Sequence, residues 1–194
     1  DSFSTFEWMI PLFEERDSSL TFVELRMILN NHSTVGANLG VAHRVYSPEW
    51  NRTFGGSAFY DFRDSGRHDF HQLGLGFETL GEVWDFRTNL YSHAITDAHK
   101  QTGNRFVGNT LLVGADVAMT GLDMEIGVPF ASIGNLESRV FAGWYYFEGS
   151  DTEDVSGWRA RSEVYLSDTL SVSVSAQDDD VFGSTFSVGI AWRF

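Results

Sequence analysis

The feature that most constrains this chain is an alternation of apolar with small or polar residues, at period two, along nearly its whole length. In the last stretch Phe186, Val188, Ile190, Trp192 and Phe194 share one parity, while Ser187, Gly189, Ala191 and Arg193 share the other. Over 169–177, Leu170, Val172, Val174 and Ala176 oppose Ser171, Ser173, Ser175 and Gln177. Over 158–166, Trp158, Ala160, Val164 and Leu166 oppose Arg159, Arg161 and Glu163. Earlier, Leu73, Leu75 and Phe77 oppose Gln72, Gly74, Gly76 and Glu78, and Trp84, Phe86 and Leu90 oppose Asp85, Arg87 and Asn89. Successive side chains of a strand point to opposite faces, so the pattern describes strands with one apolar face. No stretch approaches the ~18–20 apolar residues of a membrane helix.

Two architectures have such strands. A soluble sandwich or lipocalin-like barrel buries the apolar face, whereas a transmembrane barrel turns it to lipid and keeps a polar interior. The polar faces discriminate. They carry Gly, Ser, Asn and Arg alongside Asp or Glu, whereas a solvent-washed face mixes in many Lys; the only Lys here is Lys100. Parity assigns to the interior eight Arg (26, 44, 63, 87, 139, 159, 161 and 193) and nine acids: Glu7, Glu24, Asp61, Glu78, Asp85, Asp116, Asp123, Glu125 and Glu163. Eight against nine leaves that face at −1, while the other eighteen acids and five bases hold −13 of the net −14. The interior is nearly neutral and able to pair its charges, and the negative excess falls to loops and ends, where solvent screens it. The expectation is an all-β chain, 1–194, forming a single transmembrane antiparallel β-barrel.

Strands are expected near 3–12, 20–30, 34–46, 53–63, 70–80, 82–91, 110–129, 138–148, 155–166, 169–177 and 183–194. Turn residues separate them at Asn30-Asn31, Asp64-Ser65-Gly66, Ser167-Asp168 and Asp178-Asp179-Asp180. Within 110–129 the outward parity runs Val113, Ala115, Val117, Met119 and then Leu122, Met124, Ile126, Val128, slipping at Thr120-Gly121. A two-residue hairpin there makes about twelve strands; a bulge in one long strand makes eleven. Twelve satisfies the usual even number but puts the long 92–109 connection on the periplasmic side. Eleven puts that connection outside and the Gly81 and Ser167-Asp168 turns inside, and leaves the N-terminus outside or a strand missing before Asp1.

Composition excludes several functions. A net charge of −14 with 13 basic residues offers no phosphate-binding face, so nucleic acid is not an expected partner. The absence of Cys removes disulfides, zinc–thiolate sites and thiol catalysis. The chain opens at Asp1 with no leader-like segment, so a secretory leader is expected to have been removed. Gly55-Gly56 and Gly74/Gly76 lie inside strands and not at a strand-to-helix turn, which reads as close packing, not a nucleotide loop. His93, Asp97 and His99 are too loosely spaced for a metal set, and Asp178-Asp179-Asp180 and Asp151-Glu153-Asp154 lack the EF-hand pattern, so all are read as loop residues. His43 and His71 fall on the outward parity and no Gly-x-Ser-x-Gly occurs, so no catalytic residue, metal or cofactor is expected.

The ordered pieces Ile10-Pro11-Leu12-Phe13, Val35-Gly36-Ala37-Asn38-Leu39-Gly40-Val41 with Arg44, Phe54-Gly55-Gly56-Ser57-Ala58-Phe59-Tyr60-Asp61, Leu73-Gly74-Leu75-Gly76-Phe77-Glu78, Asp85 and Asn89-Leu90-Tyr91 resemble the β-domain of inverse autotransporters, the intimin and invasin family. A second block runs from Gly121-Leu122-Asp123 through Pro129 to Tyr145-Tyr146. The resemblance implies a twelve-stranded outer-membrane barrel that anchors a following extracellular passenger threaded through its pore. Two departures accompany it. Only nine residues precede Ile10, where the family places a strand, and the terminal amphipathic strand ending at Phe194 looks like the assembly signal of free-standing barrels, carried by Phe186, Val188, Ile190, Trp192 and Phe194. The expected function is therefore an outer-membrane anchor and translocator scaffold, with a free-standing narrow pore or envelope-assembly subunit as the alternative. The expected partners are the lipid bilayer, the barrel-assembly machinery, and a passenger polypeptide or other envelope proteins.

Overall fold

The computed structural model describes residues 3–30, 35–64, 68–93, 99–107, 110–133, 136–149, 152–167, 169–181 and 183–192. Thirteen strands occur among them: β1 Phe3–Glu15, β2 Ser19–Asn30, β3 Val35–Ser47, β4 Arg52–Asp64, β5 Asp69–Gly81, β6 Asp85–Ser92, β7 His99–Val107, β8 Thr110–Val117, β9 Thr120–Ile133, β10 Leu136–Glu148, β11 Val155–Ser167, β12 Leu170–Asp179 and β13 Thr185–Trp192. Eleven form one antiparallel sheet in the order β1-β2-β3-β4-β5-β6-β9-β10-β11-β12-β13, and β7 and β8 form a separate hairpin. The sheet curls into a half-barrel. A strand of 13 residues, as in β3, β4 and β5, is ~40 Å long at ~3.3 Å per residue, and tilted by ~40° it crosses the ~30 Å hydrocarbon core.

The count in the wall is thus eleven, but by neither expected route. The parity slip falls at the start of β9, which pairs with β6 through Tyr91↔Gly121 to Asp85↔Gly127. β8 pairs instead with β7, through His99↔Val117 to Val107↔Thr110. Residues 110–117 therefore leave the wall, and the connection expected over 92–109 contains a strand of its own. Local alternation cannot distinguish a strand in the wall from a strand in a side hairpin, because both are pleated ribbons.

The two rims differ. At one, the connections are short: 16–18, 48–51, 82–84, 134–135 and 168–169. Asp17 and Asn51 turn there in the left-handed region, at φ 58° and 47°, which Asp and Asn tolerate best among non-glycine residues. The other rim carries the connections β2–β3, β4–β5, the long β6–β9 with its hairpin, β10–β11 and β12–β13. Short turns mark the periplasmic rim of such walls and long loops the outer one.

Burial separates the two faces. Phe22, Ala42, Phe141, Tyr145, Asp85, Asp123, Glu125 and Ser171, all on the polar parity, are buried on the concave side. Leu39, Leu75, Leu90, Ile126 and Val174, on the apolar parity, are exposed. In water this distribution is inverted; in lipid the outer face is already in an apolar solvent and the core is the polar concave face.

Candidate functional site: the charged inner wall

Inner-wall charges are joined by side chains that reach across strands. Arg26 on β2 donates through Nε to Glu7 Oε2 on β1 at 3.0 Å and through Nη2 to Glu24 at 3.2 Å. A longer ladder starts at Arg44 on β3, whose Nε lies 2.5 Å from Glu78 Oε1 on β5. Glu78 Oε2 accepts from Arg87 Nε on β6 at 3.3 Å, and Arg87 Nη1 lies 3.7 Å from Glu125 on β9. Arg161 on β11 grips Glu125 with two donors, Nη2 to Oε1 at 2.7 Å and Nε to Oε2 at 3.3 Å, and gives Nη1 to Glu163 at 3.0 Å. Ser171 on β12 closes the run by donating to Glu163 at 3.0 Å. Signs alternate along the ladder, so each carboxylate has a guanidinium beside it, which makes burial of the whole set tolerable.

Two features could not be read from parity. Parity shows that the inner face can pair its charges but not which strands the pairs join, and Arg44–Glu78 and Arg161–Glu125 each skip a strand, β4 and β10. Between Arg44 and Glu78 the skipped strand carries a glycine, Gly55, at that level of the register, whereas Arg161 is level with Phe141 and passes over its ring to reach Glu125. A Cβ on Gly55 would come within 2.7 Å of the Glu78 side chain, so the missing side chain is what opens the path. Aromatic rings also brace the guanidiniums. Arg161 lies 3.7 Å above Phe141 and Arg44 lies 4.8 Å from Phe22, favourable placements for a cation over a ring face.

Two further sets complete the wall. Near the periplasmic rim Arg139 pairs with Asp85 at 3.0 Å and donates to Gly81 O at 3.1 Å, while Asp85 accepts from Gly81 N–H at 3.0 Å. Toward the outer rim Asp123 accepts from Asn89 at 3.0 Å and Tyr91 at 2.8 Å, with Arg159 3.6 Å away. Asn38 bonds Asp61, and Tyr145 donates to Asp179 at 2.7 Å. Asp179, read from the sequence as part of a hairpin tip, continues the inward parity of Ser171, Ser173, Ser175 and Gln177; that parity was the signal available for it. Asn38, Asn89, Tyr91 and Ser171 belong to the alternation or to the family resemblance, but a reading by charge does not single them out as site residues, because they are uncharged.

The remaining expected residues fall as follows. Arg63 lies on β4 near the outer rim and is exposed. Asp116 is on β8, opposite Lys100 in the hairpin, and so is not a wall charge; its assignment followed from treating 110–129 as wall. Arg193 and Phe194 lie outside the described residues, as does Asp97. Phe186, Val188, Ile190 and Trp192 stand on the convex face of β13 at 71–76% exposure. His43 and His71 are on that face too, Nδ1 of His43 2.8 Å from Thr21 Oγ1 and Nδ1 of His71 2.5 Å from Tyr60 Oη. His93 Nδ1 lies 2.7 Å from Thr120 Oγ1. Of the six Trp, 50, 84 and 192 are at the periplasmic rim, 144 and 158 face each other toward the outer rim, and Trp8 is within β1.

The sequence pattern of the inverse autotransporter β-domain matches residues 2–136, more than two thirds of the chain. The chain belongs to that family. Among solved structures, one from a study of the in-meso crystallization of membrane proteins resembles this β-domain over 100% of its length and 78% of the other chain, with a TM-score of 0.69 and 14% identity. The β-domain of the Bordetella autotransporter BrkA covers 99% of this chain and 91% of its own at a TM-score of 0.47 and 11% identity. No curated protein sequence matches the chain. The β-domain is thus an outer-membrane β-barrel anchor by family.

Proposed function

We propose that this β-domain is the anchor and translocator scaffold for a passenger polypeptide at the bacterial outer membrane, and that it catalyses no reaction. The ion-pair ladder carries this reading. Its charged groups are spent on one another across β3, β5, β6, β9 and β11, as in a wall that must hold its shape in lipid, not a site that exchanges protons or bonds with a substrate. Assembly by the barrel-assembly machinery is supported by β13, which stands last in the described sheet and carries the apolar row Phe186, Val188, Ile190 and Trp192, an extended strand of the form that adds to another sheet.

Closure follows from direction. β1 and β13 both run from the outer rim to the periplasmic rim, and no contact joins them among the described residues. One strand running the opposite way is antiparallel to both and closes the wall, which lipid requires because an open edge leaves backbone groups unpaired. The test of function is an epitope-tagged segment placed after Phe194 in the full-length product. Antibody binding and protease cleavage of the tag on intact cells is the expected result. A tag reached only after the outer membrane is broken overturns the translocator reading in favour of a free-standing barrel.

A further inference from the structure

The convex face of β2, β3 and β4 carries a polar group where the wall is otherwise apolar. His43 is exposed there, with Nδ1 held 2.8 Å from Thr21 Oγ1, and Nε2 has no partner among the described residues. Its neighbour in the register is Gly56, where an added Cβ would meet nothing within 4 Å. A side chain therefore stands beside a dent. The depth can be read along β4. Gly56 is four residues from Arg52, which lies 3.6 Å over Trp84 at the periplasmic rim, and four from Tyr60, which joins Phe62 and His71 in a ring cluster on the outer side. Each interval spans about 10 Å of depth at ~3.3 Å per residue and ~40° tilt, so His43 sits midway through an apolar band of roughly 25 Å. Acyl chains offer a ring nitrogen no hydrogen bond at that depth.

We propose that this patch is an intramembrane contact for a second copy of the β-domain, centred on His43 and Gly56. Copies inserted in the same direction are related by an axis along the membrane normal, which preserves the depth of every residue. A two-fold axis there sets His43 of each copy level with the Gly56 dent of the other: residue i meets j and j meets i, as an isologous contact demands. Ala58, next along the same face, keeps the approach clear. The hydrogen-bond chemistry is also self-complementary. The Thr21 hydroxyl either donates to Nδ1 or accepts from it, so each tautomer is available. One copy then presents Nε2–H and the other a bare Nε2, and the two bond across the axis. An unrelated partner has no such built-in match of depth and polarity.

The contact rests on the outer-membrane placement but not on passenger translocation, since it lies outside the lumen. The chain contains no cysteine, so it serves directly as background for His43→Cys, Gly56→Cys and, on the convex face of β9, Ile126→Cys. Each is oxidised in outer-membrane vesicles, with heat-modifiable electrophoretic mobility showing that the barrel is folded. A disulfide-linked dimer several-fold more abundant at position 43 or 56 than at 126 is expected. Yields at 43 and 56 no higher than at 126 overturn the proposal, as does a cross-link to a protein of different mass. Gly56→Leu, which fills the dent, is expected to cut the dimer fraction counted by single-molecule photobleaching in lipid bilayers several-fold; an unchanged fraction also overturns it.

Discussion

At the scale of single residues the wall is organised by glycines and the rings or charges beside them. The Phe141 ring lies against Gly127, and the Phe59 ring against Gly40, so closely that a Cβ on either glycine would overlap it. Gly127→Ala must therefore push Phe141 aside and away from the Arg161 guanidinium now 3.7 Å above its ring. A cost of about 1–3 kcal/mol is expected, the usual penalty for overpacking a filled interior. At Gly36 an added Cβ meets only ordinary contacts, the nearest at 3.5 Å, and Gly36→Ala should cost little. Urea unfolding in lipid vesicles separates the two; equal costs would refute the packing argument. On β13, Val188→Arg or Ile190→Arg places a charge in lipid and should cost roughly 2–4 kcal/mol near mid-membrane, whereas Ser187→Arg on the concave side should cost far less. The same unfolding measurement applies, and equal impairment would reverse the assignment of the faces.

At the scale of elements, the 110–129 region shows how a correct local reading yields an incorrect placement. The slip at Thr120 is real, and both sides of it are strands. What differs is the neighbour: β6 for β9, β7 for β8. The wall itself passes from β6 to β9, with Tyr91 already opposite Gly121. The hairpin is consequently an insertion at the outer rim, and the chain's return into β9 is held by Gln72 Nε2 donating to Met119 O at 2.7 Å. Replacing 94–118 with a short Gly/Asn turn should leave an assembled barrel with unchanged heat-modifiable mobility, because loop length enters stability only weakly. A variant that fails to assemble would show that the hairpin is part of the wall's folding unit.

At the scale of the whole molecule, the inner wall sets how much open space the barrel can enclose. Arg44, Glu78, Arg87, Glu125, Arg161 and Glu163 link strand to strand, and Phe22, Phe59, Phe141, Tyr145 and Phe147 occupy the space beside them. A barrel of this strand number lies between the filled eight-stranded size and the open sixteen-stranded porins. The closed barrel should therefore show little or no steady conductance in planar bilayers. Arg161→Ala strips Glu125 of its two-donor partner and Glu163 of its guanidinium, and should raise current noise or lower stability. Large, steady, porin-like steps from the unmodified protein would promote the diffusion-pore alternative.

The sequence determined by itself everything that depends on which face a residue occupies. Period two places Phe186, Val188, Ile190 and Trp192 on one side and Ser187, Gly189 and Ala191 on the other, and the same rule collected most of the wall charges, because pleating is a property of each strand alone. Its charge balance further implied a paired interior. The tertiary structure decided what depends on neighbours in space. It set which strand β8 joins, which removed Asp116 from the wall. It set how Arg44 reaches Glu78 over Gly55 and how Arg161 reaches Glu125 past the Phe141 ring, contacts that exist only once three strands lie side by side. It also turned Asp179 from a presumed loop acid into the partner of Tyr145. Alternation fixes the direction of a side chain; partner and distance follow from register and curvature, which are properties of the assembled sheet.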